Sequence, residues 1–188
     1  MIERRFEFFS TPIFGLTVIQ RKPVKDNRGF FCRFYCLDEF HDIGANLPIV
    51  QINHTLTKIK GTVRGLHFQY PPYLETKIIS CIRGEIFDVA VDIRHGSQTF
   101  LKWHAEILSA ANYKSLLIPK GFAHGFQTLT DGCELIYLHT AAYAPDAEGG
   151  LRADDSRIGI KWPIEITMRS RRDSNFPEIG EDFNGVEL

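Results

Sequence analysis

Short runs of apolar or alternating residues recur along the chain, each closed within a few positions by glycine, asparagine or aspartate. Residues 16–20, 30–34, 49–54, 63–68, 77–82, 86–93, 103–108, 115–118, 125–129 and 134–139 read as strands. Between them, Asp26-Asn27-Arg28-Gly29, Lys60-Gly61, Arg83-Gly84, Arg94-His95-Gly96-Ser97, Pro119-Lys120-Gly121 and Thr130-Asp131-Gly132 supply turn chemistry at the spacing of a β-sandwich or barrel. Helical periodicity is confined to residues 37–43, one or two turns opened by Asp38-Glu39. Beyond Asp146 no period persists, and Gly149-Gly150, Trp162-Pro163 and Pro177 predict a segment that wraps over the strands with short helical turns. The expected class is all-β.

Composition sharpens that expectation. A chain of 188 residues, 44% apolar with 15 Phe, can fill one sizeable core without disulfides. We expect a single domain over residues 1–188, with its core at about 14–145 and a wrap at 146–188. Lys and Arg number 22 against 23 Asp and Glu, so no global basic field exists to hold nucleic acid or an anionic membrane. Cys32, Cys36, Cys81 and Cys133 lie in apolar runs without C-x-x-C spacing, which reads as small buried thiols in a reducing cytoplasm. The longest stretch free of Asp, Glu, Lys and Arg, residues 43–57, contains Gly, Pro, Asn and Gln and is too short to span a bilayer. Met1-Ile2-Glu3 carries an early acid and no apolar run, unlike a signal peptide.

Candidate chemistry sits inside the strands. In Arg64-Gly65-Leu66-His67-Phe68-Gln69, alternation sends His67 and Gln69 to one face and Arg64 to the other, unless Gly65 admits a bulge that re-aims the arginine. Gly121-Phe122-Ala123-His124-Gly125 reads as a turn after the strand at 115–118, with His124 at a barrel mouth where glycines let a ligand approach the backbone. Lys77 opens an apolar strand, and Tyr137 lies within another. Each is ordinary alone. Together, an imidazole base, a phenol acid and two cations are what proton abstraction beside a carbonyl requires.

Six motifs, in order, carry a resemblance to a known family: Asp26-x-Arg28-Gly29-x-Phe31, Gln51-x-Asn53, Lys60-Gly61-x-x-Arg64-Gly65-Leu66-His67-x-Gln69, Gly84-x-x-x-Asp88-Val89-x-Val91-Asp92-x-Arg94, Ile118-Pro119-x-Gly121-Phe122-Ala123-His124-Gly125-Phe126 and Ile160-x-Trp162-Pro163. The chain resembles the dTDP-4-dehydrorhamnose 3,5-epimerases from about residue 14 to 177. The resemblance implies a jelly-roll cupin barrel, a homodimer with strand exchange, and a nucleoside-diphosphate 4-keto-6-deoxyhexose substrate. It implies no metal or redox cofactor. Carried over by position, His67 is the base, Tyr137 the acid and Asp173 the carboxylate that orients His67. Arg64 and Lys77 match cations near the C4 oxygen. Gln51 and Asn53 match residues lining the sugar pocket. Arg28, His124, Phe31 and Tyr143 fall in segments that contact the nucleotide.

Three positions depart from the family pattern. Arg33 stands where an acid is usual, in the nucleoside-binding segment. Leu138-His139-Thr140-Ala141-Ala142 replaces Lys-Thr-Thr-Asp-Tyr after Tyr137, which predicts altered nucleobase stacking and leaves CDP- or GDP-linked sugars open. Ile52 replaces a polar residue. Three rival readings follow. A metal-dependent cupin would need a His-x-His pair, which Phe68-Gln69 after His67 does not supply. A non-catalytic sugar-binding barrel would have no use for base, acid and orienting carboxylate together. An epimerase restricted to C3 or C5 would use the same residues.

Overall fold

We describe a computed structural model over residues 4–42, 45 and 47–188. The expectations for Met1–Glu3 and for the helix end at Ile43 lie outside the described residues. In chain order the strands are β1 (Phe6–Ser10), β2 (Thr17–Arg21), β3 (Val24–Asp26), β4 (Gly29–Phe31), β5 (Gln51–Thr57), β6 (Val63–Gln69) and β7 (Lys77–Arg83). They continue as β8 (Glu85–Asp92), β9 (Trp103–Ser109), β10 (Lys114–Ile118), β11 (Phe122–Thr128), β12 (Cys133–His139) and β13 (Glu148–Gly150). Two short helices, α1 (Leu37–His41) and α2 (Arg171–Ser174), complete the described regular structure apart from one 3₁₀ turn.

Six strands form one sheet in the order β1-β2-β10-β7-β12-β5, and five form another in the order β13-β6-β11-β8-β9. β3 and β4 make a separate hairpin. Neighbours within the sheets run antiparallel, and the two sheets close face to face as a jelly roll. The all-β expectation is met.

Burial explains why several strands read as unbroken apolar runs. Ile79, Cys81, Leu116 and Leu135 of the first sheet meet Ile86, Ala90, Phe122 and Phe126 of the second, forming the core between them. The alternate residues are covered too. Ile78, Leu117 and Leu138 face outward beneath Phe6 and Phe40, while Leu66, Val89, Val91 and Ala123 face outward beneath Leu151, Ile158, Ile179 and Val186. A strand covered on both faces need not alternate. Each fully buried Leu, Ile or Phe contributes about 1.5–3 kcal/mol, so the wrapping C-terminal segment is held by its apolar side chains rather than by regular structure.

The three-residue strands β3 and β13 were not expected, and three further elements differ from the sequence expectation. β1 was unforeseen because it is an edge strand of which only Phe6 is buried, which leaves no alternation to read. The strand expected at 30–34 is the three-residue β4, whose residues are all exposed. The strand expected at 125–129 begins earlier, at Phe122, so His124 lies in mid-strand rather than in a turn. Gly125 is not punctuation there. A Cβ on it would meet the Arg64 carbonyl oxygen at 2.7 Å, so glycine permits close passage of β6 against β11.

Candidate active site

A bulge in β6 builds the site. His67 pairs with His124 and Arg64 with Phe126, so two residues of β6, Gly65 and Leu66, stand opposite one of β11, Gly125. Gly65 absorbs the extra residue at φ +118°, where a side chain would be strained and would meet Gly125 Cα at 2.6 Å. Strict alternation would put Arg64 on the outer face with Leu66 and Phe68. The bulge turns it inward, so Arg64, His67 and Gln69 all line a cavity of about 280 Å³ between the sheets. The conditional reading of Arg64 is thereby resolved.

His67 is fixed from behind. Its Nε2 lies 2.9 Å from Oδ1 of Asp173, whose Oδ2 accepts from the Gly65 backbone N–H at 3.2 Å. Asp173 sits in α2, where Ser170 caps the helix by accepting from the Asp173 N–H. Burial alone would push the Asp173 carboxyl up. The His67 hydrogen bond and charge, with the Gly65 and Ser170 bonds, outweigh it and hold the group down at about 2. The Arg172 guanidinium also lies 3.2 Å from Nε2. An ionised carboxylate can only accept, so we assign the Nε2 hydrogen to the Asp173 bond, which leaves the Nδ1 lone pair as the basic site. Phe176 braces the ring edge-on at 6.0 Å.

The opposing wall comes from the first sheet. Alternation along β12 places Tyr137 and His139 on the inner face with Leu135, and alternation along β7 does the same for Lys77 with Ile79. Tyr137 therefore faces His67 across the cavity. Burial pushes the phenol pKa up, the Asp88 charge adds to this, and the group stays protonated as a donor. Lys77 does not reach solvent, as a strand-end lysine would. It is buried, with Nζ 3.0 Å from Glu75 Oε1. Burial acts to raise the Glu75 carboxyl, but the His139 hydrogen bond and the Lys77 charge prevail and keep it below its ordinary value.

Deeper in, His124 Nε2 bonds Asp88 Oδ1 at 2.8 Å, both residues being buried. Burial pushes the Asp88 carboxyl up, and the charges of His124 and Lys77 offset this only in part. The site thus holds three imidazole–carboxylate pairs, His67–Asp173, His139–Glu75 and His124–Asp88. Among the described residues, no three His, Cys, Asp or Glu side chains come together in a way that could hold a metal ion.

Residues 10–181 match the family model for dTDP-4-dehydrorhamnose 3,5-epimerase. The chain belongs to that family. A dTDP-4-dehydrorhamnose 3,5-epimerase of Shigella flexneri is 41% identical over 166 residues, covering 88% of this chain and 91% of the relative. Among solved structures, that of a Bacillus anthracis dTDP-4-dehydrorhamnose 3,5-epimerase with TDP and PPi bound superposes with a TM-score of 0.90 at 36% identity, covering 93% of this chain and 99% of that one. The Legionella pneumophila enzyme in complex with dTDP-4-keto-L-rhamnose gives 0.86 at 37% identity, covering 90% of each chain. The cupin jelly roll expected of a family member is the fold observed.

Against that family pattern, the structure brings His67, Tyr137, Lys77, Arg64, His124 and Asn53 to one cavity, with Asp173 behind His67 and Tyr143 at the rim. Gln51 stands just behind, donating to Asn53 Oδ1 and accepting from the Tyr143 backbone N–H. Arg28 and Phe31 do not line this cavity. They sit on the exposed β3–β4 hairpin, where Arg28 pairs with Asp26. Arg33 is turned back onto its own chain, 2.8 Å from Glu39 of α1, so its reversed charge is neutralised locally. The segment after Tyr137 divides between core and cavity. Leu138 is core and His139 lies inside the cavity wall, which leaves Tyr143 as that segment's ring at the rim. Glu75, Asp88, His139 and Arg172 were not singled out. For His139 the signal was present, since a residue two positions from Tyr137 on a strand shares its face. Glu75 and Arg172 lie outside the strands, where no period reports direction.

Proposed function

We propose that this protein inverts C3 and C5 of a dTDP-linked 4-keto-6-deoxyhexose by deprotonation and reprotonation through an enolate. The C4 ketone acidifies hydrogens on both neighbouring carbons. His67 Nδ1 removes one, and Asp173 stabilises the imidazolium that results. The C–H electron pair moves into the enolate, whose charge on the C4 oxygen meets the Lys77 ammonium and the Arg64 guanidinium. Oxyanion contacts of this kind are worth about 2.7–4 kcal/mol each. Tyr137 then returns a proton from the opposite face and inverts the centre. One observation carries this reading: a carboxylate-backed imidazole and a half-buried, protonated phenol face each other across a hexose-sized hollow walled by cations.

The same reading places the diphosphate near Arg172 and the cavity mouth, because a guanidinium suits a phosphate geometrically. It assigns Arg28 and Phe31 to the nucleotide bound by a second subunit, the hairpin that carries them being exposed and extended. The functional unit is then a homodimer formed along β5, an edge strand with Ile52 and Leu56 exposed. The C-terminal wrap belongs to that unit, since it supplies Asp173. A cytoplasmic location fits the four free cysteines. No described helix is long and apolar enough to cross a membrane.

Incubating dTDP-4-keto-6-deoxyglucose with the protein in deuterated water, and locating the label by NMR, tests the proposal. Deuterium at both C3 and C5 with inverted products is expected. Label at one carbon restricts the reaction to that centre, and label at neither defeats it. CDP- and GDP-linked analogues run in parallel are expected to react far more slowly.

A further inference from the structure

The Tyr137 phenol is gripped between two imidazoles. His124 meets it edge-on, with ring centres 6.0 Å apart and planes at 74°. His139 lies flat against it, also at 6.0 Å, with planes only 6° apart.

His139 is itself held with unusual thoroughness. Asn53 Nδ2 lies 3.3 Å from its Nε2, and Glu75 Oε2 lies 2.6 Å from its Nδ1. Gln51 in turn donates to Asn53 Oδ1, and Lys77 holds the other oxygen of Glu75. Every donor in this chain meets an acceptor if His139 carries its hydrogen on Nδ1 and accepts from Asn53 on Nε2. The relay runs from the Tyr143 backbone N–H at the rim, through Gln51, Asn53, His139 and Glu75, to Lys77. A residue that merely filled space against Tyr137 would need none of these bonds. Their effect is to fix the imidazole plane, and through the stack the phenol plane.

We propose that His139 is a positioning residue for proton return: it holds the Tyr137 ring so that the hydroxyl meets the enolate carbon. The inference rests on the epimerase reading and deepens it. Deprotonation breaks a C–H bond, sends the proton to His67 Nδ1 and leaves the electron pair in the enolate. The enolate is then protonated by one of two routes. Return from His67, after exchange with solvent, labels the carbon without inverting it. Return from Tyr137 inverts the carbon; the His67 imidazolium then gives up its proton to water and the phenolate recovers one from water, which restores both groups. A phenol that swings away from its line slows the second route and spares the first, because a misplacement of about 1 Å can cost a reacting group up to 10²-fold.

The ratio of inversion to exchange therefore reads the position of Tyr137 and is blind to a general loss of folded protein. We would measure both rates in deuterated water for wild type, His139→Gln, His139→Phe and Tyr137→Phe. Glutamine can keep bonds to Glu75 and Asn53 but offers no ring; phenylalanine offers the ring without the bonds. An aromatic pair is worth about 0.5–1.5 kcal/mol, or up to about tenfold. We expect His139→Gln to lose about tenfold in inversion while exchange stays within about threefold, a milder form of Tyr137→Phe. His139→Phe keeps the stack but not the bonds that fix its plane, so it should recover only part of the inversion. A parallel fall in both rates, or an unchanged ratio in His139→Gln, overturns the proposal. If wild type neither exchanges nor inverts, the epimerase reading itself fails and takes the proposal with it.

Discussion

A histidine is a useful base only when its lone pair points at the substrate in the tautomer that leaves it free. Asp173 imposes that tautomer on His67 by accepting at Nε2. Asparagine in its place offers an amide N–H to the Nε2 lone pair, so the tautomer with hydrogen on Nδ1 competes. Asp173→Asn should lower kcat for proton exchange by about 10²-fold or more, with a smaller change in KM. The same pair shapes acid stability. The carboxyl is held down at about 2 from an ordinary 3.8, so its contribution is complete above that ordinary value and fades as pH falls through the folded one. Thermal melts should show a Tm gap between wild type and Asp173→Asn that is full above pH 4 and closes towards pH 2. At this scale the sequence was informative where alternation applied, as for His67 and Tyr137. It was silent on Asp173, which spacing alone presents as an acid in a basic run; the family likeness named it.

At the scale of elements, the closeness of β6 and β11 decides the site. Gly65 and Gly125 face one another with no room for a side chain, and the bulge at Gly65 aims Arg64 inward. Gly65→Ala adds a Cβ at a φ that L-residues avoid, against backbone that cannot move aside cheaply. We expect a loss of about 2–4 kcal/mol in chemical denaturation, with activity falling further because Arg64 and His67 are displaced together. The central strands were readable because their apolar runs are buried on both faces. β1 and β4 were not, having almost nothing buried to impose a pattern. His124 was misplaced into a turn for a related reason, since a glycine that enables close strand packing looks the same in sequence as one that ends a strand.

For the whole molecule, the unpartnered edge matters. Ile52 departs from a polar family pattern, and the structure puts it on the outer face of β5, exposed beside Leu56. An isologous contact repeats each such residue across the two-fold axis, so one charge introduced there acts twice. Light scattering on the eluting protein should give a dimer for wild type and a monomer for Ile52→Asp; a monomeric wild type would refute the assembly. The two-layer architecture could be inferred from strand count and turn spacing. The wrap of the last forty or so residues over the strands was expected, but its path was not legible, because that path follows scattered apolar contacts rather than a period. That cover also has a bearing on biosynthesis. Since α2 delivers Asp173 to His67, more than a hundred positions earlier, a nascent chain whose barrel has already emerged from the ribosome lacks the carboxylate behind that imidazole until translation has passed α2 and the strap has docked.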